Sequence, residues 1–423
     1  MTAGSLVMTY WIDTNRVNAG VWITIFIVLI ISINYFGITF FGEFEFWLSS
    51  FKVVVIIGII LLSIILVLGG GPDHDRKGFR YWKDPGAFNT YISDGDTGRF
   101  YGVLLTMVSA TFAFLGTELV GVTVGEAQNP RKTIPRAIKL TFYRILVFYI
   151  LSVFLVGLLV PYNSPELAFA IKANSSAAAS PFVVAIKLAS IPVLPDIMNG
   201  CILLFVFSSA NSDLYIATRT IYGLAREGKA PAILARTDRR GVPTYALAAS
   251  SVFALLAYMN VSNDARTIFG YFVNLVTIFG LLTWISILVT HIYFVRARKA
   301  QGIRVESLAY KAPLGVGGSW IALIFCCIIS LTKSFDVFTK TGGNFDYKTF
   351  ITAYLGIPLY LILIFGYKYS TKSKGVNPHE ADLWTGKDAI DREEATFLER
   401  QAAMSEKQRQ YGWFYNKFVS WLF

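Results

Sequence analysis

Long apolar runs separated by short polar segments make up most of the chain. About nine of these runs reach the roughly 20 residues that an α-helix needs to cross the hydrocarbon core of a bilayer. The pattern predicts an all-α, polytopic membrane protein with about nine complete transmembrane helices. The predicted spans are residues 21–41, 46–69, 102–124, 142–162, 196–225, 244–261, 268–295, 320–338 and 350–369.

The composition supports this interpretation. The 423 residues are 54% hydrophobic and 15% charged, whereas soluble proteins are about 25% charged. The net charge of +11 comes from basic residues in short loops between apolar runs. That distribution indicates membrane topology rather than binding to nucleic acid.

Basic residues mark alternate loops, as expected when those loops share the cytoplasmic face. They follow the predicted spans that end at residues 124, 225 and 295. The long loop of residues 70–100 carries bases with matching acids and is predicted to be external. This orientation places residue 1 near the outer face. It also defines a transmembrane domain, residues 21–369, and a cytoplasmic tail, residues 370–423.

The apolar run 102–124 contains residues that a simple membrane anchor does not need. Gly116, Thr117, Glu118 and Gly121 interrupt it. An ionisable residue in hydrocarbon is costly and is by default a candidate functional residue. Glycines let a helix unwind where the freed backbone faces a cavity. Because discontinuous helices of this kind bind substrate in secondary transporters, the sequence predicts transport of a small solute.

The predicted substrate-binding stretch is the segment where this helix unwinds. Its carbonyls would bind an ammonium group and its amides a carboxylate. The simpler interpretation of Phe112 and Phe114 is ordinary helix packing, and that of Glu118 is a structural hydrogen bond to a neighbouring loop or helix. The residues of the stretch are Phe112, Ala113, Phe114, Leu115, Gly116 and Thr117.

Lys52 is the second charged candidate inside a predicted span. It lies six residues into the span 46–69, roughly 9 Å deep at 1.5 Å per residue, and Glu118 lies at a matching depth in its own span. Opposite charges at matched depth reduce each other's cost of burial, so we predict that the two pair. Glu118 is also a candidate for handling the substrate or a proton. The alternative for Lys52 is that its side chain extends to the cytoplasmic interface.

Small polar side chains gather in the middle of the span 196–225, at Ser208, Ser209, Asn211 and Ser212. They either line a polar site or hold helices together through hydrogen bonds. The adjacent Asp213 would repel an acidic ligand if it faced that ligand in its ionised form. It is therefore not predicted to be a direct ligand.

Other chemistry is not indicated. The three cysteines lie in apolar runs and show no disulfide or zinc spacing. The three histidines are far apart and no phosphate-binding GxxxxGK[ST] loop occurs, so neither a metal site nor ATP-driven transport is indicated. We therefore predict a protein that is not an enzyme and needs no metal or cofactor.

Several segments resemble the amino-acid permeases of fungi, within the amino acid–polyamine–organocation superfamily. GEFEFWLSSFKVVVIIG resembles that family's fifth helix, FAFLGTELVGVTVGEAQNPRKTIPRAI its sixth helix and following loop, and SSANSDLYIATRTIYGLAREGKAP its eighth helix. GGGPDHDRKGFRYWKDPGAF, LAYMNVS and FDYKTFITAYLGIP are most similar to the dicarboxylic branch. The resemblance covers essentially the whole chain.

This resemblance implies an inverted-repeat fold of five plus five helices and proton-coupled uptake of glutamate and aspartate at the plasma membrane. It places Lys52 where proton-coupled relatives are proposed to use a lysine in place of a sodium ion. It also places Asn211 and Ser212 near the ion position of related transporters. The implied partners are an L-amino acid and the lipid bilayer, with neither nucleic acid nor an obligate protein partner.

The family's first, broken helix has no counterpart in this sequence, and residues 21–41 resemble its fourth helix. The sequence is therefore interpreted as an N-terminally truncated permease whose residues 1–20 are a remnant of the third helix and an external loop. The alternatives are a permease of broader specificity, an amino-acid sensor that does not transport, and an inactive truncated permease.

Overall fold

A computed structural model describes residues 1–12, 16–36, 38–122, 129–165, 167, 180–261, 265–339 and 345–403. Its regular elements are α-helices with short π- and 3₁₀-helical turns. The α-helices are α1 (Thr2–Met8), α2 (Ala19–Tyr35), α3 (Ile38–Val67), α4 (Gly95–Phe114), α5 (Leu119–Val122), α6 (Pro130–Arg144), α7 (Leu151–Leu159), α8 (Pro181–Leu188), α9 (Leu194–Arg226), α10 (Thr244–Ala254), α11 (Ala265–Ala300), α12 (Gly315–Thr332), α13 (Tyr347–Tyr354), α14 (Gly356–Thr371) and α15 (Lys387–Ala403).

Seven helical segments of the described chain are long and apolar enough to cross a membrane. Two shorter apolar helices, Ala19–Tyr35 and Thr244–Met259, correspond to the other two predicted spans. The prediction of an all-α polytopic membrane protein is therefore confirmed. The seven segments are Phe41–Val67, Gly95–Val122, Pro130–Leu159, Leu194–Arg226, Thr267–Ala300, Gly315–Thr332 and Tyr347–Thr371.

The interruption predicted between residues 41 and 46 is wrong. α2 ends at Tyr35, and α3 then continues without a break through the segment GEFEF. A glycine flanked by acids resembles a turn in sequence, but a single glycine costs a helix only about 1 kcal/mol and glutamate is a good helix former. Glu43 and Glu45 are therefore helical, and Lys52 lies further from the start of its helix than predicted.

The first of two compact units contains Met1–Phe88 and Phe142–Phe269. Within it, α9 packs against α1, α2, α3, α8 and α10. A buried cluster of Ile30, Leu214 and Leu247 joins α2, α9 and α10. The long helix α9 is therefore the element against which most of this unit is built.

The second unit contains Asn89–Thr141 and the described chain from Gly270 onwards. Within it, α4 packs against α12, and α13 packs against α14. Leu281 of α11 and Ile329 of α12 share a buried cluster, against which Met107 of α4 packs. These contacts hold the helix that leads to Glu118 beside α11.

Large apolar side chains are exposed on helices of both units. Val153 and Phe253 of the first unit are each 70% exposed, and Ile321 of the second is 71% exposed. Extended apolar surfaces of this kind are rare on soluble monomers and are what lipid tails cover on a membrane protein. The chain is a multi-pass membrane protein.

The division into residues 1–20, 21–369 and 370–423 stays a prediction. Part of the first segment, residues 13–15, and the end of the last, residues 404–423, lie outside the described residues. In its described part, the last segment contains the charged helix α15.

Candidate functional site

The break predicted in the helix that carries Glu118 is present in the second unit. α4 ends at Phe114, residues 115–118 form a turn, and α5 begins at Leu119. Gly116 has a φ of +97°. This value lies in the left-handed region, which residues other than glycine adopt only under strain. The glycine thus permits the break, as the sequence indicated.

The predicted substrate-binding stretch has two structurally different halves. Its first three residues still belong to the last turn of α4, so the free backbone begins three residues later than predicted. Binding of substrate by either half stays a prediction. The helical half is Phe112, Ala113 and Phe114, and the turn contributes Leu115, Gly116 and Thr117.

The Glu118 carboxylate is held in place by two donors. Its Oε2 accepts a hydrogen bond from the amide of Gly116 at 3.1 Å and another from Nε1 of Trp284 on α11 at 2.9 Å. These are structural bonds of the kind the sequence analysis gave as the alternative. They also fix the carboxylate against the broken backbone, while its role with protons stays a prediction.

One face of α11 accommodates the break. A Cβ at Gly280 would lie only 2.2 Å from Cδ2 of Leu115, so the missing side chain leaves room for the turn. Trp284 follows one helical turn later and therefore lies on the same face. Neither residue was identified from the sequence, because a glycine and a tryptophan in an apolar run look like ordinary packing residues.

Lys52 belongs to a charged network in the first unit. Its Nζ lies 3.4 Å from Oε1 of Glu45 and donates to Oγ of Ser208 at 2.5 Å. Ser208 in turn donates to the same Glu45 oxygen at 2.5 Å. The three groups form a closed triangle between α3 and α9. Since inserting an unpaired lysine at the middle of a bilayer costs about 3 kcal/mol, the network reduces that cost.

The sequence analysis missed Glu45 because it assigned this residue to a turn. In one helix, residues 45 and 52 are separated by two turns and lie on the same face, and that spacing could have identified the pair. Lys52 lies about 16 Å along the axis from Phe41, where the apolar segment begins, rather than about 9 Å. The predicted pairing of Lys52 with Glu118 joins residues of the two units and stays a prediction.

Asn211 is fully buried in the first unit. Its Oδ1 accepts a hydrogen bond from Nδ2 of Asn34 on α2 at 3.0 Å, and this bond connects α2 to α9. Its own Nδ2 has no partner among the described residues. The contact supports the interpretation that small polar residues hold helices together, whereas the ion-binding role of Asn211 and Ser212 stays a prediction.

In addition to the broken helix and the intramembrane charges, most of the chain matches the profile of a known protein family. The sequence profile described as "Amino acid permease" matches residues 1–377. The chain belongs to the amino acid permease family. It is therefore a transporter rather than an enzyme, and the resemblance found from the sequence is confirmed.

Three relatives of this chain are named for different amino-acid substrates. The dicarboxylic amino acid permease of Saccharomyces cerevisiae is 52% identical over 429 residues, which cover 100% of this chain and 70% of that relative. The proline-specific permease of Emericella nidulans is 39% identical over 404 residues, covering 95% and 72%. The lysine-specific permease of Saccharomyces cerevisiae is 41% identical over 362 residues, covering 85% and 58%. Membership of the family thus supports amino-acid transport without fixing which amino acid is carried.

Proposed function

We propose that this permease imports glutamate and aspartate across the plasma membrane together with protons. The observation that carries the proposal is the 52% identity along the whole chain to a relative named for dicarboxylic amino acids. The relatives named for proline and lysine are 39% and 41% identical over shorter stretches. Of these three relatives, the one whose name states an acidic substrate therefore shares the highest identity with this chain.

The broken segment supplies the part of the site that every amino acid shares. The turn at residues 115–118 interrupts the helical hydrogen-bond ladder, which frees backbone groups for the substrate's ammonium and carboxylate. Glu118 keeps this turn in one conformation through Gly116 and Trp284. A turn held in place before substrate arrives lowers the entropy cost of binding.

The coupling proton is assigned to the ionisable groups inside the spans. Intramembrane carboxylates and lysines form the proton relays of transporters, and the two assigned to the proton here are Glu118 in one unit and Lys52 in the other. The network of Lys52 gives its ammonium group a carboxylate partner, Glu45, and a hydroxyl partner, Ser208. Proton binding and substrate binding would together favour the conformational change that releases both inside the cell.

Substrate choice is tested by uptake of radiolabelled glutamate into a fungal host that lacks its own amino-acid permeases. We expect accumulation that increases with the inward proton gradient. Unlabelled aspartate should compete strongly, and proline and lysine should compete weakly. If proline or lysine competed as well as aspartate, the permease would have broad specificity instead. Uptake that does not depend on the proton gradient would disprove proton coupling.

Neutralising the two charged candidates tests their roles. Lys52→Gln and Glu118→Gln are each expected to abolish accumulation, because the site loses a proton-carrying group, while the amount of protein at the cell surface stays unchanged. Surface biotinylation measures that amount. Glu43→Gln is the matched control, since Glu43 is an exposed acid on the same helix as Lys52. Normal proton-driven uptake by both site variants would contradict the assignment.

A further inference from the structure

The geometry points to an unassigned residue in the coupling machinery, and this inference rests on the proposed proton coupling. We propose that Glu45 is the counter-ion that positions Lys52 and keeps it charged, with the Ser208 hydroxyl bridging the two. Glu45 is a positioning residue in this scheme, since it acts through Lys52 rather than on the substrate.

The arrangement of the three side chains supports this role of Glu45. Ser208 is fully buried, so its hydroxyl interacts with the charged groups instead of water. It accepts from Lys52 and donates to Glu45, each at 2.5 Å, while the two charges lie 3.4 Å apart. A hydroxyl that accepts from an ammonium and donates to a carboxylate stabilises the charged form of both.

The Glu45 carboxylate has one oxygen that is free to form a further hydrogen bond. Glu45 Oε2 is buried and has no hydrogen-bond partner among the described residues. The side chains of Lys52 and Glu45 are 32% and 20% exposed, so solvent screens the pair only in part. The unpartnered oxygen is the position at which Glu45 would receive a proton when Lys52 gives up its charge.

Other titratable groups on the neighbouring helices also surround the Glu45–Lys52 pair. Of the helices that pack against α3, α7 has no titratable side chain and α2 has only Tyr35, at its end. α9 contributes Asp213, whose charge interacts with those of Glu45 and Lys52, followed by Tyr215 and Arg219. Among the described residues of this unit, Glu45 is the acid that forms an ion pair with Lys52.

One test of the pairing needs no transport. The full chain is purified in lipid nanodiscs, and thermal unfolding is measured for Glu45→Gln, Lys52→Gln and the double variant. If the two side chains form one interaction, the double variant should unfold at nearly the temperature of the less stable single variant. Glu43→Gln combined with Lys52→Gln is the control and should show additive shifts. Additive shifts for Glu45 and Lys52 would overturn the proposal.

The pH profile of uptake separates a positioning role from a purely structural one. Removing the carboxylate makes the charged form of the lysine less favourable, so half-maximal uptake by Glu45→Gln should move to lower pH by about one unit or more. Ser208→Ala should move the pH of half-maximal uptake in the same direction. Ser208→Thr, which keeps the hydroxyl, should have the same pH profile as the wild type.

The outcomes distinguish a failure of the Glu45 role from a failure of the proposed function. A profile of Glu45→Gln that coincides with a pH-dependent wild-type profile would overturn the role of Glu45 and leave the proposed function intact. Uptake by the wild type that does not respond to pH would disprove proton coupling, and the unfolding cycle would then decide the pairing alone.

Discussion

At Gly116 the backbone adopts a φ of +97°, and the next residues turn rather than continue α4. Space does not demand glycine here, since an added Cβ would lie 3.5 Å from Leu119, at ordinary contact distance. Glycine is required because of the backbone dihedral angle: any other residue with this positive φ would carry a strain of about 1–3 kcal/mol. Gly116 is therefore required for the shape of the break.

Gly116→Ala is expected to lower the temperature of thermal unfolding and to reduce glutamate uptake, because alanine opposes the left-handed conformation. Gly121→Ala provides the matched control, since Gly121 has open space around its Cα and no positive φ. An unfolding temperature and an uptake rate equal to those of the control would show that the backbone tolerates the change.

Sequence reasoning succeeded for some of the site residues and failed for others. Glu118 was identifiable because a carboxylate in an apolar run violates the hydrophobic pattern. Trp284 was not, because it fits that pattern, and its role depends on which turn of α11 faces the break. Glu45 was missed because a local turn signal was given more weight than the apolar residues that continue the helix on both sides.

At the scale of elements, the contact between the break and α11 is close. Leu115 occupies the space above Gly280, and Trp284 bonds to Glu118 one turn further along. The two contacts together determine how the turn lies on α11. Any change in the width of that space is thus expected to alter the position of the Glu118 carboxylate.

Gly280→Ala should destabilise the protein by about 1–3 kcal/mol, as overpacking typically does, and impair uptake. Leu115→Ala in the same chain should relieve the overlap, since the atoms in conflict belong to the tip of that leucine. Gly270→Ala on the same helix meets open space and is the control. A double variant that remains as impaired as Gly280→Ala would refute this explanation.

At the scale of the whole molecule, the lengths of the apolar runs predicted the order of the apolar helical segments in the described chain well. Apolar runs of membrane length leave few alternatives to a helix, because the bilayer offers no partner for unsatisfied backbone groups. Run lengths could not predict which helices pack together. The bond from Asn34 to Asn211 joins residues 177 positions apart, and no local pattern encodes such a distance.

The tail is another such long-range contact. Within the second unit, Arg131 at the start of α6 forms ion pairs with Asp391 and Glu394 of α15. Gln301 at the end of α11 donates to the carbonyls of Pro378 and Ala381. The segment after the last span therefore contacts the start of α6 through ion pairs and the end of α11 through hydrogen bonds.

Arg131→Gln is expected to speed up amide hydrogen exchange in α15, because both acids lose their guanidinium partner. Lys132→Gln, a change at the neighbouring exposed base, should leave exchange unchanged and serves as the control. Equal exchange in both variants would show that the ion pairs do not hold the helix.

The same contact has a defined pH dependence. Lys387 and then Arg131 lower the pKa of Asp391 below its ordinary value. A lowered pKa means that the stabilisation is present above the unfolded value, near 3.9, and is lost only as pH falls through the lower folded value. Exchange in α15, corrected for its intrinsic pH dependence, should therefore be equal at pH 7 and pH 5. A marked increase at pH 5 would contradict the assignment.

The uninterrupted course of α3 has a consequence for how a conformational change could be sensed. Glu45 and Lys52 are carried by one rigid helix, so a sliding or rocking motion of its neighbours leaves their separation nearly constant. Ser208 is carried by α9 and would be withdrawn by the same motion. The Glu45–Lys52 ion pair would therefore persist during the motion, whereas the hydrogen bonds of the neutral Ser208 hydroxyl would break. A small displacement of α9 would therefore remove the hydroxyl from Lys52 without breaking its ion pair with Glu45.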